Sequence, residues 1–364
     1  MKKFLIFFMC ISSVSFAQNI RPYWFIFEEG KKAFRDGDYG PALIAFEEAR
    51  HERRIMYERM EQELINLLST NEVRTFNDDL NRVEQYVAER YLVNAQAALD
   101  ELYYRVPKES LNGSALQALA EIGHLKDYPE AEYWVGETYR VEGELTIALK
   151  QYEKAYQQRD LLENPGFAIE ILYKMVDIHR IRQEYFAMER RALEILEQDT
   201  LWSRDTNAQT RTIMMRIIDN EGINRFLTIY RYNNPSVEQA HRLLGLYYYS
   251  SGRYNLAADH LMFSFLIQNS LLAREVSYGR FDFRFTTLEA LLSEAQQKPG
   301  VNSYLETVEY YKTIYYCGAA WYASGRSGSQ FWRFLTNQPQ AGEWEVRARN
   351  QLRSPSIEGR QAQF

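Results

Sequence analysis

Residues 129–156 read PEAEYWVGETYRVEGELTIALKQYEKAY. Trp134, Val135 and Tyr139 lie on one apolar stripe at the spacing of a single helical face. Gly143 follows where a chain reversal needs a residue without a side chain, free to take positive φ. Ala148, Tyr152 and Ala155 then recur on a second helical face, and small residues there let two helices approach closely. The stretch predicts two short antiparallel helices joined at Gly143, with Gly136, Tyr139, Gly143, Leu145, Ala148, Tyr152 and Ala155 as the spaced series that marks them.

The same intervals return on both sides of it. Gly30, Ala33, Gly37, Tyr39, Ala42, Phe46 and Ala49 repeat them without a gap. Gly245, Tyr248, Gly252, Tyr254, Ala257 and Leu261 do so again, with Ser264 in place of the last alanine. This pattern resembles the tetratricopeptide repeat, a helix pair of about 34 residues that stacks with its copies. The resemblance implies an all-α fold, a superhelical solenoid of helix pairs whose contacts are between nearest neighbours.

Composition agrees with a helical chain. Nine prolines and eighteen glycines punctuate 364 residues, and alternation of the strand period is almost absent. Residues 1–17 read as a secretory signal, with Lys2 and Lys3, an apolar run from Phe4 to Val14, and a small-x-small site at Ser15-Phe16-Ala17. The run is shorter than the roughly 20 residues that span a bilayer. Cys10 offers lipidation as an alternative, although bulky Phe8 and Met9 precede it. A mature chain from Gln18 would carry 41 basic residues (43 less Lys2 and Lys3) against 49 acidic. An acidic balance argues against a phosphate-backbone ligand such as nucleic acid. Cys317 would be the single cysteine left, so the expected setting is a bacterial periplasm with no intrachain disulfide.

The organisation that follows has residues 18–106 as N-terminal repeat-like helices, 107–127 as a connector, 128–270 as the central solenoid, 271–353 as degenerate repeats with a cap, and 354–364 as a disordered tail. Within it, residues 52–70 form a long charged helix, either an insertion or an extended second helix. Val83, Tyr86, Leu92, Ala95, Leu99 and Leu102 mark a weaker pair. Asn164-Pro165 and Asn234-Pro235 start helices as cap and first residue. Leu172, Met175, Val176, His179, Tyr185 and Met188 keep the phase without glycines. Residues 203–233 form a pair broken near Gly222, with Met214, Ile217, Ile218, Phe226, Ile229 and Tyr230 inward. Phe281, Phe283 and Phe285 sit in an extended loop, Thr286 with Glu289 begins a helix as a capping box, and Gly318, Trp321 and Gly325 are in phase with Phe334.

No nucleophile elbow, phosphate loop, dinucleotide fingerprint or zinc-helix motif occurs. The five histidines are scattered, and Cys317 reads as an inert packed thiol. The expectation is a non-enzyme with no cofactor and no metal. In the family the chain resembles, first helices line a concave groove that holds peptides or partner helices. The positions that resemblance implies are Phe27, Leu80, Tyr133, Tyr173, Arg242 and Tyr315 in one row, with Lys31, Glu84, Glu137, Asp177, Leu246 and Ala319 beside it. Aromatics with acids suit a protein partner, helical or extended, carrying apolar and basic residues. The alternative for these tyrosines is that they cover seams between helices. Three functions are open: an envelope scaffold, a component of the periplasmic flagellar collar that such repeats build in spirochaetes, and a solute-binding accessory subunit of a transporter. An open groove favours the first two and a deep ligand-sized cavity the third.

Overall fold

A computed structural model describes residues 21–67, 126–197, 206–278 and 283–358, with isolated positions between 78 and 101 and at 199, 202 and 280; at 59–67 and 206–207 it describes the backbone alone. Every regular element among the described residues is helical, so the protein is all-α. No described helix is long and apolar enough to cross a membrane. The chain divides into two compact units at Ile171/Leu172.

In the first unit, α1 (Tyr23–Asp36) turns into α2 (Tyr39–Leu67), and α3 (Pro129–Val141) turns into α4 (Leu145–Gln157). The charged stretch after residue 50 is therefore an extension of the second helix, not a separate insertion. α2 packs directly on α3: Phe46 and Ala49 share a core with Tyr128, Ala131 and Val135. Glu132, 1% exposed, sits in this seam and accepts from Arg50 at 2.8 Å and from Lys154. One carboxylate thus ties α2, α3 and α4, which satisfies a buried charge with two partners. The weaker pair read at Val83–Leu102 follows α2 in the sequence. Most of that pair, Leu80, Glu84 and residues 107–125 of the connector lie outside the described residues, as does the leader.

The second unit holds α5 (Phe167–Ile181, which begins before the division), α6 (Tyr185–Glu197), α7 (Thr206–Ile229), α8 (Glu238–Ser250) and α9 (Tyr254–Ser277). It continues through α10 (Leu288–Ala295), α11 (Val301–Thr307), α12 (Tyr310–Ala323), α13 (Ser329–Thr336) and α14 (Glu343–Arg353). α9 is its centre: every residue from His260 to Ser270 is buried, against α7, α8, α10 and α12. Polar side chains inside form a chain of bonds. The Gln268 amide donates to Glu238 at 2.7 Å and to the Val308 carbonyl at 3.0 Å, and Tyr310 donates to Asn269 at 2.7 Å.

Five hairpins share one turn. Gly37, Gly143, Gln183, Gly252 and Gly325 all take positive φ. The next residue's N–H then returns to a carbonyl of the preceding helix: Asp38 to Ala33, Glu144 to Tyr139, Glu184 to His179, Arg253 to Tyr248 and Arg326 to Trp321, at 2.8–3.0 Å. That bond caps orphan carbonyls and aims the second helix back along the first. The hairpin of α5 and α6 keeps the geometry without glycine, holding Gln183 at φ 58. A left-handed conformation costs a side-chain-bearing residue about 1–2 kcal/mol. Gln183→Gly should therefore raise stability by about 0.5–1 kcal/mol after the extra freedom of the unfolded chain is subtracted, and Gly143→Gln should lower it, both read from urea midpoints.

The apposed faces are equally regular. A Cβ on Gly136 would lie 2.8 Å from the Tyr152 ring, one on Gly30 2.7 Å from Phe46, and one on Gly245 2.6 Å from Leu261. In the last hairpin Trp332, not the expected Phe334, covers Gly318 at 2.6 Å. There the backbone of Gly328 lies on Gly318, so the first turn of α13 is the one above it.

Several local expectations move. α7 is broken at Gly222 (φ 88, ψ 169) as read, but Ile229 is 44% exposed, and Ile223 and Leu227 face inward instead. Asn164-Pro165 and Asn234-Pro235 precede their α-helices by a turn: α5 begins at Phe167, and α8 follows a 3-10 turn over Pro235–Val237. The cap of α10 is Thr287, whose Oγ1 accepts from the Ala290 N–H at 3.2 Å, not Thr286. Phe283 and Phe285 lie in irregular chain, and Phe285 is buried; Phe281 is outside the described residues. The tail is not free up to residue 358, because Glu358 accepts from Tyr315 and Arg347. Residues 359–364 are outside the described set.

Candidate functional site

The positions predicted to line a groove are mostly closed by partners of their own. Phe27 is 8% exposed and packs on Phe46 and Tyr128, with the Lys31 ammonium 5.2 Å above its ring. Tyr133 is 3% exposed, edge-on to Phe167 at 4.6 Å, and donates to Glu170 at 2.7 Å. Burial pushes its phenol well above the ordinary range. Glu137, expected to be solvated, is 5% exposed; Arg140 donates to it at 2.8 and 3.0 Å, and so does the Tyr152 hydroxyl. Tyr173 donates to the Ser236 carbonyl at 2.6 Å and accepts from the Ala240 N–H. Arg242 pairs with Glu238 and Glu309. Tyr315 is fully buried beneath Glu358 and Arg347.

Tyr133, Glu137 and Tyr315 are thus packing residues, not free contacts. The cause is simple: a tyrosine on a first helix is long enough to place its ring in the seam and give its hydroxyl to an acceptor on another element. Lys31 (paired with Glu28) and Asp177 (with Arg180) remain accessible. Leu246 and Ala319 are buried.

Exposed apolar side chains lie in several places, Trp24, Ile44 and Tyr278 among them, and one set sits at the hairpin tips. Val141 and Ile147 flank the turn of α3 and α4, at 41% and 39% exposure. Ile181 and Phe186 flank that of α5 and α6, at 60% and 80%, and Leu256 follows that of α8 and α9. Sequence periodicity missed them, because it assigns apolar residues next to a turn to the buried stripe.

Among the sizeable cavities of the second unit, two stand out by their charged linings. One of about 970 Å³ is lined by α11, α12 and α14, and its Glu309, Lys312 and Arg347 are bound to internal partners. The other, about 560 Å³, lies where the end of α7, the C-terminal part of α9 and residues 283–285 meet, and it gathers Arg231, Arg274 and Arg284. The histidines are not all scattered: Nδ1 of His241 on α8 is 3.1 Å from Nδ1 of His260 on α9, both fully buried beside Trp202. Cys317 is buried, its thiol pushed up by desolvation, and it donates weakly to the Leu261 carbonyl. Among the described residues no three His, Cys, Asp or Glu side chains cluster as metal ligands do.

No described protein family and no solved structure matches the chain. It is 24% identical over 223 residues to an uncharacterized protein of Treponema pallidum, covering 61% of this chain and 60% of that one. It is 18% identical over 252 residues to an uncharacterized protein of Borreliella burgdorferi, covering 62% of this chain and 78% of that one. The matched part is therefore under two thirds of the Treponema protein's length.

Proposed function

We propose that the chain is a non-catalytic interaction scaffold of a bacterial envelope, built from tetratricopeptide-type helix pairs stacked as a solenoid, exported by its leader, and working in the periplasm. The observation that carries this is the set of exposed Val141, Ile147, Ile181, Phe186 and Leu256 at the tips of regularly turned hairpins. Apolar side chains held outward on short rigid turns are what a protein partner covers. The proposed partner surface is at the tips rather than along the aromatic row, and Lys31 and Asp177, further back on their helices, remain accessible charges. That the two relatives come from spirochaetes supports the narrower reading of a flagellar-collar component.

A photo-crosslinking residue at Ile147 or Phe186 in intact cells should trap an envelope protein, and one at the buried Tyr152 should not. Phe186→Ser should reduce capture from a probe at Ile181, which flanks the same turn, while moving stability by no more than about 0.5 kcal/mol, as surface changes do. Cytoplasmic fractionation of the chain, or equal capture from all positions, would remove the reading. Co-sedimentation with flagellar basal bodies separates the collar version from a general scaffold.

A further inference from the structure

The cavity at the end of α9 differs in charge from the rest of the molecule. The chain as a whole is acidic, at −6, and its other arginines typically meet carboxylates: Arg50 with Glu132, Arg140 with Glu137, Arg253 with Glu189, Arg347 with Glu358. Arg231, Arg274 and Arg284 line one space of about 560 Å³, and none of them forms an ion pair among the described residues. Arg274 also borders a second space of about 430 Å³, where Glu275 is among the lining residues.

Arg231 is the best fixed of the three. Its guanidinium lies 4.7 Å from the centre of the Phe285 ring, a cation–π arrangement that holds its plane, and Nη1 donates to the Tyr230 carbonyl at 2.8 Å. The remaining N–H groups of a five-donor fork stay available. The side chain is reachable from solvent, yet the protein around it desolvates it enough to lower its pKa. The cavity's hydroxyls offer little competition: Ser277 donates to Ala273, Thr228 to Arg225, and Ser270 accepts from the Tyr232 N–H. Phe283 and Phe285, 6.4 Å apart, form an apolar side wall.

We propose that this cavity is a binding site for a small organic oxyanion, one bearing a phosphate or two or more carboxylates, held by Arg231, Arg274 and Arg284 with its carbon part against Phe283 and Phe285. Guanidinium forks match both oxyanions bidentately, and charge-assisted bonds of this kind are about twice as strong as neutral ones. A single chloride or an isolated carboxylate would leave most of the donors unused. The site is independent of the hairpin tips, so partner binding and anion binding can fail separately.

The test is calorimetric titration of the mature chain with inorganic phosphate and with citrate at constant ionic strength, set against sodium chloride. Saturable one-to-one binding by at least one probe is expected. Which probe wins tells phosphate from carboxylate chemistry. The pair Arg231→Gln and Arg274→Gln together should weaken that binding at least tenfold with an unchanged circular-dichroism spectrum. Arg225→Gln, on the exposed side of α7 and paired with Glu221, should leave it unaltered. Three results overturn the proposal: no saturation by either probe at about 10 mM, equal heats from chloride, or undiminished affinity in the double variant. Binding confined to phosphatidylglycerol vesicles, with neither soluble probe taken up, overturns it as well by marking a surface attraction.

Discussion

Acidification from pH 7.5 to 5.0 should destabilise the second unit by about 2 kcal/mol through His241, with His260 adding to the loss in the same direction. Both imidazoles are fully buried. Desolvation, joined by the nearby Arg211 charge, lowers His241 to about 3, and desolvation with the neighbouring imidazole and Arg211 takes His260 well below the ordinary value. With one Nδ1 3.1 Å from the other, a single proton fits between them, and a second would set two N–H groups face to face. The folded-state pKa values are depressed below the unfolded value of about 6.5, so the unfolded chain takes up protons first. The stability is fully present above pH 6.5 and is lost as pH falls through 6 and 5 toward 3. Linkage at 1.36 kcal/mol per unit makes His241 worth about 2 kcal/mol at pH 5, and His260 acts in the same direction. Urea midpoints of the wild type and of the variant with His241→Leu and His260→Leu, measured at both pH values, decide it. Parallel pH slopes in the two proteins would show that the pair does not carry the effect.

Ala148→Tyr should cost about 3 kcal/mol or more and shift the first unit's urea midpoint accordingly. Ala148 has no exposed surface, and its carbonyl lies 3.3 Å from where a Gly136 Cβ would be, beside the ring of Tyr152. A phenol inserted there has no void to fill, so α3 and α4 must separate, and overpacking of this kind exceeds the usual 1–3 kcal/mol when backbone has to move. Glu137→Ala belongs nearby on the scale, at about 1–3 kcal/mol, because it orphans the Tyr152 hydroxyl and the Arg140 fork. Phe186→Ala, on an 80% exposed residue, should stay within about 0.5 kcal/mol. An Ala148→Tyr shift no larger than that of Phe186→Ala would mean that the two helices are not apposed.

The hairpins were legible because two local demands leave marks in the sequence. A close helix crossing requires a residue as small as Gly136, and a left-handed turn favours one like Gly143. Where chemistry relaxes either demand the mark vanishes while the geometry stays, as at Gln183. Helix starts were misplaced by a residue or more because Asn-Pro opens a turn ahead of the helix as readily as the helix itself. The groove was misjudged for a different reason. Periodicity says which face a tyrosine occupies, but not whether another helix covers that face, and Glu170 and Ser236 are too far along the chain for their bonds to Tyr133 and Tyr173 to be read from spacing. The same distance hid the histidine pair and the three arginines, which come together only through the packing of α7, α8 and α9.

The burial of α9 on every side has a kinetic meaning. In a linear array each helix pair touches only its neighbours, so ends can fray and re-form one pair at a time. α9 instead meets α7, α8, α10 and α12 at once, and none of these can leave without exposing the row from His260 to Ser270. The second unit should therefore open in one cooperative step, with the amides of that row the slowest to exchange and all vanishing at a common rate set by global unfolding.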